Sequence, residues 1–153
     1  MSPVERVVAA LRGGGVQEEV RRFSQPVPTA AAAAEALGCK VGAIANSLVF
    51  DADGAPLLVL ASGAHRVDTG KLAALIGAMR VRRASPEFVL AATGQEVGGV
   101  APVGHPSPLR TVVDIDLAAF PLLWAGAGDH FTMFAATYEE LLRVTGGEPA
   151  AVA

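Results

Sequence analysis

SLVFDADGAPLLVLAS, residues 47–62, decides what kind of sheet this chain builds. SLVFD and PLLVLAS are rich in aliphatic and β-branched residues, and ADGA joins them. An Asp–Gly pair between two such runs suits a tight turn with positive φ, so the segment predicts a β-hairpin. The sequence on either side reads as helix. Upstream, the alanine-rich run 30–37 lies between Thr29, an N-capping residue type, and Gly38, a C-terminal stop. Downstream, Asp68 or Thr69 caps KLAALIG. Strands joined both by a hairpin and through helices make a mixed sheet, and the class expected is α+β.

Further outward the same alternation continues. PVERVVAALR, residues 3–12, spaces its apolar residues for a helix that Gly13–Gly14–Gly15 stop. EEVRRF reads as a short, weak strand and MRVRR as another. Ser85, with Pro86 at the first helical position, opens the helix EFVLAAT. TVVDID is a strand, and PLLWAGAG and FTMFA form a further strand pair. Thr137 and Glu140 make a capping box for YEELLRV, closed by Gly146–Gly147, after which the last few residues are expected to fray. No repeat or linker interrupts the chain, so residues 1–153 are expected to form one domain.

Composition narrows the function classes. The chain is 52% hydrophobic and 18% charged, a globular balance, and its apolar runs are too short to cross a bilayer. No signal-peptide pattern opens it and Cys39 stands alone, so a cytoplasmic protein without disulfides or a thiolate metal cluster is expected. A formal net charge of −3 argues against coating nucleic acid by bulk electrostatics. No recognition-helix motif or basic stripe supports DNA binding either. Lys40, Arg66, Lys71, Arg80, Arg82, Arg83 and Arg110 gather mid-chain, and Arg80, Arg82 and Arg83 read as solvated surface.

His65, His105 and His130 have no second histidine or cysteine at ligand spacing, so neither a metal nor another cofactor is expected. No G-x-S-x-G elbow occurs, and Cys39 reads as a packing residue. Asp114 and Asp116, two apart, could do acid–base work or hold a metal. The plainer reading has Asp114 closing its strand and Asp116 capping a short helix at LAAF. The most unusual segment is GQEVGGVAPVGHPSP, residues 94–108, with four glycines and three prolines. It is no Walker A motif and has no G-x-G-x-x-G. Glycine admits close approach and proline holds a turn, so this loop is shaped for a ligand unless it merely connects two elements.

In order along the chain stand ANSLVF, LLVLASGAHRVDTGKLAALIG, RRASPEFVLAATGQEVGGVAPVGHP, VVDIDL, WAGAGDHFTMF and TYEELLRVTGG. This succession resembles the YbaK/prolyl-tRNA-editing family, free-standing relatives of the editing domain inserted in bacterial prolyl-tRNA synthetases. The resemblance runs from about residue 17 to residue 147. It implies a mixed, partly barrel-like sheet with surrounding helices. It also implies an activity, hydrolysis in trans of the ester joining a wrong amino acid to the 3′ end of a tRNA. The partners implied are the tRNA acceptor end and an aminoacyl-tRNA synthetase, with no membrane.

The family's G-x-x-x-P element falls on Gly98–Pro102. The resemblance makes the Gly98 and Gly99 amides oxyanion donors and has Val100, Ala101 and Pro102 line the pocket. From WAGAGDHFTMF it brings Gly126, Gly128, His130 and Thr132 to the aminoacyl group, although His130 also reads as a surface residue. His65 and Arg66 approach the tRNA terminus, or Arg66 pairs with Asp68 and fixes its loop. One position departs from the family: active members carry lysine where IANSLVF has Asn46. A carboxamide is a neutral dipole where an ammonium is a full charge. Lys40 and Lys71 have no pattern that places them in the pocket. Catalysis in the family leans on the substrate's ribose hydroxyl and on backbone groups, so Asn46 is compatible with an active editing site. The alternative is a chain that only binds aminoacyl-tRNA or a small nucleotide-like ligand.

Overall fold

The computed structural model describes residues 1–17 and 19–153. Its five helices are α1 (Pro3–Gly13), α2 (Ala30–Leu37), α3 (Thr69–Ile76), α4 (Pro86–Thr93) and α5 (Tyr138–Thr145). The strands are β1 (Arg21–Arg22), β2 (Ile44–Ala52), β3 (Ala55–Ser62), β4 (Val81–Arg83), β5 (Arg110–Asp114), β6 (Leu123–Gly126), β7 (Thr132–Ala136) and β8 (Glu148–Ala150). All eight join one mixed sheet in the order β1-β7-β6-β2-β3-β5-β8, with β4 paired to β2 as well. This is the α+β architecture expected.

Local chemistry sets most of the boundaries. Ser2 and Glu5 exchange side chain-to-backbone bonds of 3.0 and 3.1 Å at the start of α1, and Thr137 and Glu140 do the same on α5. Each such cap stabilises its helix by about 1 kcal/mol. Asp68 and Ser85 cap α3 and α4, and Pro86 occupies the first turn of α4. Between β2 and β3, Asp53 at φ 51° and Gly54 at φ 90° make the two-residue turn. The Asp53 carboxylate then accepts the Met79 and Arg80 N–H groups, both at 2.9 Å, which ties the turn to the start of β4.

β3 is apolar on both faces because both are covered. Leu58 and Leu60 pack with Val7 and Leu11 of α1, Val89 of α4 and Leu141 of α5. Leu57, Val59 and Ala61 pack with Leu72 of α3 and with Val152. That last contact corrects the expectation of a frayed C-terminus. β8 pairs in parallel with β5, Val152 is fully buried, and its carbonyl accepts the Asp68 N–H at 2.8 Å. Burying a valine gains about 1.5 kcal/mol or more, enough to order a short tail. Within the weak strand EEVRRF, Arg21 and Arg22 pair antiparallel to β7, and the Phe23 N–H donates to the Phe131 carbonyl at 2.8 Å; its Glu18 lies outside the described residues. No helix is long and apolar enough to cross a membrane among the described residues.

Candidate functional site

β3 covers one edge of β2 along its whole length. The other edge is shared: β6 pairs with Ile44 and Ala45, and β4 with Phe50, Asp51 and Ala52. Residues 46–49 between them have no strand neighbour on that side. The Gly63 N–H donates to the Ile44 carbonyl at 2.8 Å, which sets the phase of the hairpin. In an antiparallel ladder the peptide groups alternate between the two edges, so those of Ser47 and Val49 point into the gap. The gap stays open for local reasons. Ser85 and Pro86 turn the chain into α4 as soon as β4 ends, and β6 stops at Gly126.

A cavity of about 530 Å³ occupies this gap, within the usual range for a small-molecule site. Continuous β2 residues Ile44–Phe50 form one wall, and Gly98, Val100, Gly126, Asp129 and Thr132 contribute to the rest. Gly98 adopts φ +88°, and a Cβ there would sit 3.2 Å from the His130 ring and 3.4 Å from the Pro28 carbonyl. Among the described residues the Gly98 and Val100 N–H groups have no protein acceptor, and both residues line the cavity. A Cβ on Gly126 would lie 2.9 Å from the Val100 carbonyl oxygen, so that glycine lets β6 meet the loop.

Several expected site residues lie elsewhere. The Gly99 N–H donates to the Glu96 carbonyl at 2.9 Å, closing the turn, and is not offered to a ligand. A Cβ on Gly99 would stand 2.9 Å from the Asp129 main chain, so this glycine seats the loop on that residue. Ala101 and Pro102 are buried beneath the turn, and the Ala101 N–H donates to Gln95 Oε1 at 2.7 Å. Gly128, at φ +115°, packs against the Pro3 main chain. His130 lies outside the cavity, over Gly98, with Nε2 3.9 Å from a Glu96 carboxylate oxygen. Arg66 is exposed and is not in the cavity, and the Asp68 carboxylate caps α3 by accepting the Lys71 N–H at 3.0 Å. The Lys71 ammonium donates to the Ala153 carbonyl at 2.9 Å, and neither Lys71 nor Lys40 lines the cavity.

Asn46 does line it, half-buried on the strand face that also carries Ile44 and Leu48, with no side-chain hydrogen bond among the described residues. Thr132 lines it too, its hydroxyl donating to Asp129 Oδ1 at 2.8 Å. Three further lining residues are not marked as site residues by the sequence. Asp129 is the one carboxylate of the cavity lining and Arg83 its one cation, among the described residues. Arg83 is exposed, as its reading as solvated surface expects, but it also borders the cavity, and strand alternation separates it from Arg82, which pairs with Asp51 at 3.3 Å. Ser47 Oγ is buried without a partner. No local pattern marks any of the three. The buried Gln95 that props the glycine loop is equally silent in sequence.

A second polar cluster forms where β3 and β5 end. His65 Nδ1 lies 2.7 Å from Asp114 Oδ2, and Nε2 lies 3.2 Å from Asp116 Oδ2. Asp114, only 1% exposed, also accepts the Ser62 and Asp116 N–H groups, each at 3.0 Å. Asp114 therefore caps the 3₁₀ turn Ile115–Ala119, the role expected of Asp116, because it ends β5 with its side chain turned into the protein. One ligand atom from each of the three lies within 4.8 Å of the others. These atoms are already matched with one another and with the main chain. His65 is held here and does not line the cavity. Burial raises the Cys39 thiol pKa, in keeping with a packing role. It lowers that of His105, whose Nε2 lies 2.8 Å from the Ala101 carbonyl under the glycine turn.

The fold is that of an editing domain. The pattern of the aminoacyl-tRNA editing domain family matches residues 24–144, and the chain belongs to that family. It is 31% identical over 126 residues to the uncharacterized protein YwhH of Bacillus subtilis (strain 168), covering 82% of this chain and 80% of that one. It is 37% identical over 81 residues to the proline–tRNA ligase of Nitratidesulfovibrio vulgaris (strain DP4), covering 53% of this chain and 14% of the ligase. The match thus spans only a small part of the ligase. Among solved structures, "a putative trans-editing enzyme for prolyl tRNA synthetase" superposes with a TM-score of 0.92 at 40% identity, covering 99% of this chain and 97% of that one. The hypothetical protein APE2540 superposes at 0.89 with 28% identity, covering 96% and 98%.

Proposed function

We propose that this chain hydrolyses, in trans, the ester linking a wrong amino acid to the 3′-terminal ribose of a tRNA. The observation that carries this reading is the cavity at the open edge of β2, where the unpaired Gly98 and Val100 amides share a wall system with Asn46. When water attacks the ester carbonyl, negative charge grows on its oxygen. A pre-oriented amide aimed at that oxygen stabilises the transition state by about 3–4 kcal/mol. Asn46, donor and acceptor at once, orients the ester or the ribose hydroxyl beside it. Arg83 supplies the cation that Asn46 does not and meets the phosphate of the acceptor end. Family membership and the likeness to a trans-editing enzyme support the same reading. With a net charge of −3, the chain fits a module that touches only the acceptor end and draws its remaining tRNA affinity from a partner synthetase.

Deacylation of a panel of tRNAs charged with small amino acids tests it, with Asn46→Ala as the slowed control. Asn46 in place of the family lysine favours a second reading, a protein that binds aminoacyl-tRNA or a nucleotide-like ligand without turnover. Tight binding of every charged tRNA in the panel, with none hydrolysed by stoichiometric protein, selects that reading.

A further inference from the structure

We infer that Asp129 is the residue that recognises the free α-ammonium group of the aminoacyl ester, an inference that rests on the deacylase reading for the identity of the ligand. In an aminoacyl ester the ammonium and the carbonyl sit on adjacent carbons. A site that puts amide donors on the carbonyl oxygen must therefore present its anion within a few ångströms of those donors. Asp129 adjoins those donors through its main chain and lines the same cavity. Gly99, between the two free amides, is packed so closely on Asp129 that a Cβ would come within 2.9 Å of its Cα.

The carboxylate is also held ready. Its Oδ1 accepts the Phe131 N–H at 2.9 Å and the Thr132 hydroxyl at 2.8 Å. Among the described residues Oδ2 has no partner, and Asp129 lines the cavity half-buried. A carboxylate with one oxygen anchored and the other unpaired, on a residue that lines a cavity, can bind an ammonium strongly, because the bond is charge-assisted and partly shielded from water. No other carboxylate among the described residues lines that space.

Two non-hydrolysable probes test this on the purified full chain: 3′-(alanylamino)-3′-deoxyadenosine and its N-acetyl derivative, with affinities read by calorimetry. The wild type is expected to bind the free amine at least about tenfold more tightly, the size of one charge-assisted bond. Asp129→Asn should erase that preference, and its amide oxygen can still accept the bonds from Phe131 and Thr132. Equal wild-type affinity for both probes overturns the inference with no variant needed, as does binding of neither. So does a preference that survives in Asp129→Asn. If the wild type prefers the free amine yet hydrolyses no aminoacyl-tRNA, the deacylase reading falls and this one stands. If it hydrolyses charged tRNA but shows no amine preference, only this one falls.

Discussion

As bare lists of residues, the His65–Asp114–Asp116 cluster and the cavity at the edge of β2 look equally suited to chemistry. They differ in how their polar groups are matched. Around Asp114 the carboxylate oxygens meet two backbone N–H groups and the His65 ring, all within 3.0 Å. In the cavity the Gly98 and Val100 amides, the Asn46 carboxamide, Ser47 Oγ and Asp129 Oδ2 are left over among the described residues. Of these only Ser47 Oγ is a buried side-chain atom without a partner, which costs free energy; the others border the open cavity, where an incoming ligand can take the place of water. A matched set marks architecture.

The contrast is most easily broken at Gly99. Gly99→Ala drives a methyl into the Asp129 main chain and shifts the cavity wall by a few tenths of an ångström or more. Deacylation kcat/KM is expected to fall about a hundredfold, the usual consequence of misplacing reacting groups by about 1 Å. A rate within threefold of wild type would show that the glycine turn does not shape the reacting geometry. The matched cluster should respond in stability alone. Asp114→Asn leaves buried donors facing an amide NH₂, and urea unfolding should show a loss of about 3 kcal/mol. The folded fraction is expected to keep its kcat, and a change there beyond about twofold would make the cluster part of the site.

Asn46 sharpens the comparison from the other side. Asn46→Ala should lower kcat/KM about tenfold, the worth of one hydrogen bond, with no measurable change in unfolding midpoint. Asn46→Lys should keep or raise the rate. The smallest effect is expected at His105 beneath the turn. Burial holds its pKa below the ordinary 6.5. The unfolded chain therefore takes up a proton that the folded one resists. The stability this contributes is complete above about pH 6.5 and drains away as pH falls through the lower folded value. Thermal melts from pH 7.5 to 5 should show a decline that His105→Gln flattens.

Much of the fold was legible because its signals are local. Asp53–Gly54 calls for positive φ, Ser2, Thr29, Asp68, Ser85 and Thr137 are caps, and each acts within four residues of itself. The site was legible only where backbone conformation is written in residue type, as at Gly98. Arg83 is surface, as read, but that it borders the cavity depends on where β2 and β6 lie, which its own sequence neighbours do not encode. Ser47 and Asp129 look like ordinary strand and turn residues. The C-terminal strand was missed because Val152 is ordered by the pocket it fills beneath α3, which no short window contains.

Alone, the sequence determined the helix ends, the hairpin, the mixed sheet and the left-handed turns of the glycine loop, since these follow from steric limits and hydrogen bonds between near neighbours. Tertiary structure decided which polar groups were left unmatched. That outcome depends on β4 and β6 claiming the two ends of one β2 edge and leaving its middle bare. Pairing of this kind joins residues some thirty to eighty positions apart, so it exists only once the chain has closed on itself.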